Sequence, residues 1–548
     1  MLSPIAKTLE KCILPIITGN IDQLDFQHGF KANFSTNTAL HKINHQITEG
    51  FNKKKKPERT VLVSLDLSKA FDTVNIHTLI KKLLLTNIPN KLIKFLSNYL
   101  KGRQAYTILQ DVMSKHRNLK TGVPQGGVLS PTLFNIYMSD IPKPPENVNL
   151  EVYADDMNTM SSDNNYHIAE QNLQPYLDEI FEWTKINDLQ LNATKSSSTL
   201  FTTDPSEYNK QLSLTINNTV IPTVIHPKIL GLTFDPKLNF GEHINKTKEK
   251  SSKTINIIKA LTSTKWGKQK ETLVTTYKTI TRPIIEYGST IWAPIASDTN
   301  VKKLQTIQNS ALCTATGCTK DTNIQHLHDE TNVLSLNEHL KLHASQLRNK
   351  TQLPTHPLNK LNNLNANSIH IRETIFDNKD FTFNKDYEDE EITKEIIESY
   401  KIQIHTELVE KYAENKSVNE VLQTIAPKIN TIEETLSREV RRTLSQLRIN
   451  KSPILFSYMH KINPTNFTSP SCPLCNNNIK HDTYHLFNCN MVYSSRTLIS
   501  LWNDPVYVMS LLSRWRGMGG WPNRLVGGAS FTGIVRTTES TTTTMITK

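Results

Sequence analysis

The sequence predicts an α+β fold, an antiparallel sheet with flanking helices. Three observations point to it. Two apolar, strand-like runs, residues 61–67 and 150–160, each carry carboxylates. A Gly-rich loop between them leads into a helical pattern. From about residue 243 onward helical periodicity dominates, and a small Cys/His cluster follows near residue 480.

The first run, Val61-Leu-Val-Ser-Leu-Asp66-Leu67, is rich in β-branched and aliphatic residues and reads as a short buried strand. Alternation places Val61, Val63 and Leu65 on one face and Leu62, Ser64 and Asp66 on the other. A bare carboxylate at the end of such a strand is costly unless something pairs with it. In the second run, Tyr153-Ala154-Asp155-Asp156, apolar flanks around an Asp pair predict a hairpin with acids at its tip. Successive strand side chains point to opposite faces, so both acids face one site only if the turn redirects one of them. Asp155 is taken as the primary ligand and Asp156 as the secondary one. Asp66 and Asp155 are then expected to bridge two Mg²⁺ ions about 3.5–4 Å apart. Mg²⁺ prefers oxygen ligands completed by phosphates and water. Either run alone is equally well read as ordinary strand-end turn acids.

Between them lies Thr121-Gly-Val-Pro-Gln125-Gly126-Gly127-Val-Leu-Ser130-Pro131. The glycine pair permits positive φ and close approach of backbone to a ligand. Ser130 followed by Pro131 predicts an N-cap and first turn, and Leu133, Phe134, Ile136, Tyr137 and Met138 continue as a helix. Gln125 is positioned to hydrogen-bond a base or nucleotide edge.

The order Ser64-Leu-Asp66-Leu-Ser-Lys-Ala-Phe71-Asp72, then GVPQGGVLSP, then YADD resembles the reverse transcriptases of non-LTR retrotransposons, the jockey-like group in particular. Further stretches resemble motifs of that family. Gln27-His-Gly-Phe30-Lys31 with Ser35-Thr36-Asn37 is similar to the fingers motif that contacts the incoming triphosphate. Lys31 stands where most relatives have Arg, which keeps the charge and loses the bidentate fork. Leu189-Gln-Leu-Asn192-Ala-Thr-Lys195 resembles the motif after the YADD hairpin, and Leu230-Gly231-Leu-Thr-Phe234-Asp235 the primer grip. Tyr277 with Arg282-Pro-Ile-Ile-Glu286-Tyr287-Gly288 resembles the thumb signature. The resemblance covers roughly residues 1–515.

It implies a right-hand polymerase of fingers, palm and thumb that adds deoxynucleotides to a primer 3′-hydroxyl on an RNA template. Asp66, Asp155 and Asp156 would hold Mg²⁺, with Mn²⁺ able to substitute. Lys31, Phe71, Gln125, Gly126, Gly127 and Lys195 would form the nucleotide and template site. Phe71 would be the steric gate against a ribose 2′-hydroxyl, with a core Phe as the plainer alternative. Expected partners are template RNA, DNA primer or target, and dNTPs, in the nucleus or cytoplasm. Relatives carry more fingers sequence and an apurinic-type endonuclease before the point where this chain begins. On that basis the chain is expected to be an N-terminally truncated product, and a catalytically inactive nucleic-acid-binding remnant is the alternative. An organellar-intron reverse transcriptase with a maturase role ranks last, since it should lack the thumb signature and the Cys/His cluster.

The C-terminal signal is independent. Cys472-Pro-Leu-Cys475, His485 and Cys489 have the spacing of a closed tetrahedral Zn²⁺ site, with His485 and Cys489 expected on one face of a short helix and His481 as a substitute ligand. The plain alternative is a set of free thiols. Four protein ligands leave no open position, so the metal would be structural.

Composition agrees with these readings. The chain has 548 residues, 37% hydrophobic, and a net charge of +12 that suits a polyanion partner. No apolar run approaches the roughly 20 residues of a membrane helix, so no membrane partner is expected. Expected boundaries are fingers and palm over residues 1–235, a helical thumb and extension over 236–350, and a linker over 351–390. A helical segment over 391–464, the zinc region over 465–515 and a Gly- and Thr-rich tail over 516–548 follow. Leu273, Tyr277 and Ile280 are read as one apolar stripe. Arg438, Arg441 and Arg442 read either as a phosphate-binding face or as a solvated one, and Lys53 to Lys56 as a basic loop.

Overall fold

The computed structural model describes residues 3–22, 24–53, 56–110, 112–262, 267–363, 374–375, 421, 429–475 and 478–518. Most of the 351–390 stretch, half of the 391–464 stretch, Lys54, Lys55 and the tail beyond residue 518 lie outside them. The chain divides into two units. Unit 1 comprises residues 1–243, 288–297 and 343–384, and unit 2 the remainder.

Unit 1 is built on a four-stranded sheet. Its strands are β1 (Arg59–Leu65), β2 (Asn149–Tyr153), β3 (Asp156–Asp163) and β4 (Ser197–Phe201), in the order β2-β3-β1-β4. Every pairing is antiparallel. β1 is central because it is apolar on both faces: Val61, Leu62 and Val63 are fully buried. Val61, Val63 and Leu65 share a core with Leu173, Leu177 and Ile180 of the helix Tyr166–Ile186. The helix Thr36–Phe51 packs on β1 and β2 and buries Ile43, Ile47 and Phe51. Leu358 and Ile375, inside the stretch expected to be a linker, are buried with Ala344.

The helix after the Gly-rich loop is α-helical from Ser130 to Tyr137. Ser130 is its first residue and not its N-cap. Leu129 holds that position without a side-chain bond, and Ser130 Oγ donates to Pro124 O at 2.5 Å. The open N–H groups are met instead by Glu10, a buried carboxylate from the helix Pro4–Thr18, which accepts from Val128 and Leu129. A negative charge at a helix N-terminus is favoured by the helix dipole. No local pattern could reveal this cap, since its acceptor lies more than a hundred residues away.

Unit 2 is helical. The Leu304, Ile307, Ala311 and Leu312 stripe is buried on the helix Asp298–Thr316. Ile280 departs from the apolar stripe expected with Leu273 and Tyr277: it is 40% exposed, whereas both of those are fully buried. It lies in a π-helical turn, Tyr277–Thr281, just before Pro283. Proline removes a backbone donor, and the wider turn changes which side chains face inward.

The unit's interior contains an ionic cluster. Arg448, with its side chain wholly buried, donates to both oxygens of Glu330 at 2.9 and 3.0 Å, to Glu433, and to Leu501 O. Lys270 lies 3.1 Å from Glu330. Two carboxylates against two cations keep the cluster neutral, which a dry interior requires. Burial among these cations holds His326 down at about 4, so it stays uncharged.

Arg438, Arg441 and Arg442 of the helix Arg438–Arg448 are not a solvated face. Arg438 donates to the carbonyls of Lys268, Thr314 and Ala315, thereby capping the end of the helix Asp298–Thr316. Arg441 is 4% exposed and is held by Gln269 and Glu271. Arg442 packs its stem beside Gly317. Neither Arg438 nor Arg441 is available to phosphate. Among the described residues no helix is long and apolar enough to cross a membrane.

Candidate active site

The site is the open end of the sheet. β1 and β3 are in register through the pair Leu65–Met157, so the next residue on each side is Asp66 and Asp156. β2 and β3 close on each other through Tyr153 and Asp156, leaving Ala154 and Asp155 as the turn. Ala154 is buried with φ 59°, a left-handed conformation that costs a non-glycine residue energy. That turn answers the pleat problem by carrying Asp155 out of strand alternation and back toward its neighbours. Asp66 and Asp155 are half-buried, while Asp156 is exposed.

The electrostatics match this placement. Desolvation raises the Asp155 carboxyl above its ordinary value, and the Asp66 charge adds to the rise. Asp156 is raised first by desolvation, then by Asp155 and Asp66. None of the three is ion-paired among the described residues. Three carboxylates gathered without a cation are destabilising, and a divalent cation with oxygen preference is the group whose binding would relieve them.

A loop from Phe26 to Phe34 holds the acidic turn in place. Phe26 and His28 exchange backbone hydrogen bonds with Val152 at 2.8 Å each, adding a short parallel rung to β2. Gln27 Oε1 accepts from Gly29 N at 2.7 Å and from Ala154 N at 2.9 Å. Gly29 has no room for a side chain, since a Cβ would lie 2.4 Å from Ala154 N. His28 and Lys42 flank the buried Glu151 at 2.7 and 3.7 Å, anchoring the loop to β2. Asn135, from the helix Ser130–Tyr137, donates to Gly29 O at 2.9 Å. Gln27, Gly29 and Asn135 are thus positioning residues. Gln27 and Gly29 fall within the fingers-like stretch, whereas nothing local marks Asn135.

The other expected residues are placed as follows. Phe71 stacks on Phe134 at 4.5 Å and meets Phe30 edge-on at 6.0 Å, half-buried at the rim of the core. Its position joins the segment after Asp66 both to the loop and to the helix. Gln125 is exposed and donates to Asp72 at 2.8 Å. Gly126 has φ 82° with open space around it. Gly127 packs against Ser130 Oγ, Glu10 and Pro124 O, where a Cβ would collide. Gly122 sits at φ 83° against the backbone of Phe71 and Asp72, tying the Gly-rich loop to the segment following Asp66. Lys195 is exposed, in a turn whose Asn192 N donates to Asp66 O at 3.0 Å. Lys31 is not on the aspartates: its ammonium contacts Leu24 O at 3.1 Å and lies 4.1 Å from the Phe34 ring centroid, and burial depresses its pKa.

In unit 2, Cys472, Cys475, His485 and Cys489 are all buried, and their ligand atoms lie within 4.8 Å of one another. Cys475 Sγ is 3.4 Å from His485 Nε2. His485 lies on the helix Thr483–Asn488, whereas Cys489 is the residue just past it and so does not share a helical face with His485. His481 does not join the four: its Nδ1 accepts from Phe456 N at 3.0 Å, and burial lowers its pKa to about 3. Burial pushes the Cys472 thiol up to about 11. The group is not free-standing. It shares one core with Leu444 and Leu447 of the helix Arg438–Arg448 and with Trp515, whose Nε1 donates to Leu486 O at 3.1 Å.

Comparison with known proteins follows the same lines. Residues 1–234 match the family described as reverse transcriptase (RNA-dependent DNA polymerase). A probable RNA-directed DNA polymerase from transposon BS of Drosophila melanogaster is 28% identical over 390 residues, covering 66% of this chain and 42% of that protein. The probable RNA-directed DNA polymerase from transposon X-element of the same fly is 26% identical, covering 64% and 39%. That of the mobile element jockey is 27% identical, covering 52% and 31%. The chain thus spans less than half the length of these curated relatives. Among solved structures, telomerase from Candida Tropicalis with a fragment of telomeric RNA matches at 11% identity and a TM-score of 0.30, over 62% of this chain and 56% of that one. A likeness at that level carries no weight for fold or function.

Proposed function

We propose that this chain, whose residues 1–234 match the reverse transcriptase family and which is similar to the polymerases of jockey-like transposons, is an RNA-directed DNA polymerase that extends a DNA primer on an RNA template. The observation that carries the reading is the clustering of Asp66, Asp155 and Asp156 at one sheet end, without an ion-pair partner among the described residues. Mg²⁺ bound there would activate the primer 3′-hydroxyl and stabilise the leaving pyrophosphate. Asp66 and Asp155 are the principal holders, and Asp156 adds charge at the mouth of the site. Gln27 and Gly29 keep the turn that presents Asp155 in register. Phe71, braced by Phe134 and Phe30, offers a rigid aromatic wall for sugar selection. Gly126, free of neighbours, lets backbone approach a templating base, and Gln125 turns from Asp72 toward it. Lys31 must leave Leu24 O to meet a triphosphate, and its depressed pKa marks the desolvation it would escape by doing so. Lys195 is exposed beside the Asp66 strand end, within reach of phosphate.

In this reading residues 1–235 are fingers and palm, and the helices from 236 onward the thumb and its extension. The four Cys/His ligands suit structural Zn²⁺, since three buried thiols and one imidazole nitrogen gathered within 4.8 Å are the donor set of a closed tetrahedral site. Nuclear access would follow from a primer that is nicked chromosomal DNA.

Primer extension on an RNA template with Mg²⁺ and dNTPs, beside an Asp66→Ala control, tests the proposal. Extension lost in the control supports it. A folded, RNA-binding chain that extends nothing would make it a catalytically inactive remnant.

A further inference from the structure

Between the segment after Asp66 and the Gly-rich loop, the chain leaves the body of unit 1 as a two-stranded ribbon. Gln104–Ala105 pairs with Arg117–Asn118, and Ile108–Leu109 pairs with Val112–Met113. Every described residue from 104 to 121 is exposed. Its tip is apolar: Ile108 is 60% exposed, Leu109 73%, Val112 71% and Met113 58%. An isolated two-stranded hairpin is marginal in water, and a contiguous exposed apolar patch marks a binding surface. The ribbon's base, in contrast, is firmly held. Arg103 donates to the carbonyls of Leu100, Thr121 and Gly122, Thr121 Oγ1 donates to Asp72 O at 2.9 Å, and Gly122 N donates to Val74 O at 2.8 Å. The ribbon is therefore anchored at its base to the same short segment that carries Phe71 and Asp72.

Charge says what that partner is. The stretch 101–120 carries five Lys and Arg against one Asp, and Lys101, Lys115, Arg117 and Lys120 are exposed. A basic stem with an apolar tip complements a partner that is anionic outside and apolar inside, with the apolar part accessible only where pairing is interrupted. We propose that residues 103–119 are a wedge that engages nucleic acid at a strand junction: the stem cations lie on phosphates, and Ile108, Leu109, Val112 and Met113 insert against the first open base pair. Apolar side chains that part stacked bases are an established way of separating or bending strands, and base contacts of this kind tolerate any sequence. The inference rests on the polymerase reading for its substrate. It adds that the chain opens structured template as it copies.

The test uses the full chain, a tip variant (Ile108→Ser, Leu109→Ser, Val112→Ser, Met113→Ser) and a stem variant (Lys115→Ala, Arg117→Ala, Lys120→Ala). Fluorescence anisotropy compares a forked RNA–DNA hybrid with a blunt hybrid of equal length. Primer extension compares an open RNA template with one blocked by a downstream oligonucleotide. The tip variant should lose about tenfold in preference for the fork and stall at the block, while extending open template within about twofold of wild type. The stem variant should weaken both hybrids alike and flatten the salt dependence by about three phosphates' worth. A tip variant that keeps wild-type fork preference overturns the proposal. So does a wild-type chain that self-associates through the tip in sedimentation, since a second copy is then the occupant. Tip-dependent fork binding without extension would keep the wedge and refute the polymerase. Extension without fork preference would do the reverse. The substituted residues are exposed, and matched thermal melts establish that the variants are folded.

Discussion

At the scale of single residues, the acidic cluster is held at a cost in stability. Asp155 and Asp156 both have carboxyls raised above their ordinary 3.8, so their charged forms cost the folded state. The cost is fully present above the raised folded values and is relieved as pH falls through them toward 3.8. Asp156→Asn should therefore raise the melting temperature of the metal-free chain at neutral pH, and the gain should shrink on acidification. Added Mg²⁺ should stabilise wild type more than the variant. Synthesis should fall at least about a hundredfold. Melts across pH, with and without Mg²⁺, check the first claims, and extension assays the last. A variant no more stable than wild type would mean the acids are not in electrostatic conflict. Phe71→Val is a separate matter: as a sugar gate it should raise relative use of ribonucleotides at least about tenfold. A purely structural Phe71 would lower melting temperature and leave sugar choice alone.

At the scale of elements, the acidic hairpin depends on the loop wrapped round it. Gln27→Ala removes the acceptor of two backbone N–H groups, Gly29 and Ala154, and leaves them buried without partners. Such orphaned donors cost about 1–3 kcal/mol each. The expected result is a drop in kcat of at least about tenfold with little change in KM for dNTP. Gln27→Glu, which keeps the acceptor, should recover part of it. Gly29→Ala should be harsher, because its Cβ would overlap Ala154 N and shift the turn that bears Asp155. RNA binding, measured by anisotropy, should survive in both. Loss of RNA binding would point to unfolding of the loop instead.

At the scale of the whole molecule, each unit has its own core and its own weak point. In unit 2 the buried Arg448 neutralises Glu330 and Glu433. Arg448→Met should cost about 3–5 kcal/mol, because two carboxylates lose their main partner in a dry interior. Cys475→Ser should release zinc and loosen more than a local knuckle, since the four ligands share a core with Leu444, Leu447 and Trp515. Hydrogen exchange should show lost protection through the helices Arg438–Arg448 and Pro505–Gly517, while the β1–β4 sheet stays protected. Full zinc retention on metal analysis would remove the assignment.

By itself the sequence determined the parts whose signal is local. A short β-branched and aliphatic run marked β1, an Asp pair between apolar flanks marked the hairpin, glycines marked the loop, and Cys-x2-Cys with a distant His and Cys marked the cluster in unit 2. Tertiary structure alone decided everything that depends on residues distant in the chain. It placed Asp66 beside Asp156 through strand register, and redirected Asp155 through the left-handed turn at Ala154. It assigned the helix cap to Glu10 rather than Ser130, and left His481 outside the four gathered ligand atoms, with its Nδ1 held by Phe456 N. Arg438 and Arg441, open to a phosphate-binding reading in sequence, became internal clamps because a neighbouring helix end and Glu271 lie within reach. The exposed ribbon at 104–121 was equally illegible, since apolar residues in a short run ordinarily mean core. The physical reason is the same throughout. Propensity and pattern act over a few residues, whereas caps, ion pairs and exposure are settled by which distant groups the packed chain brings within hydrogen-bonding distance.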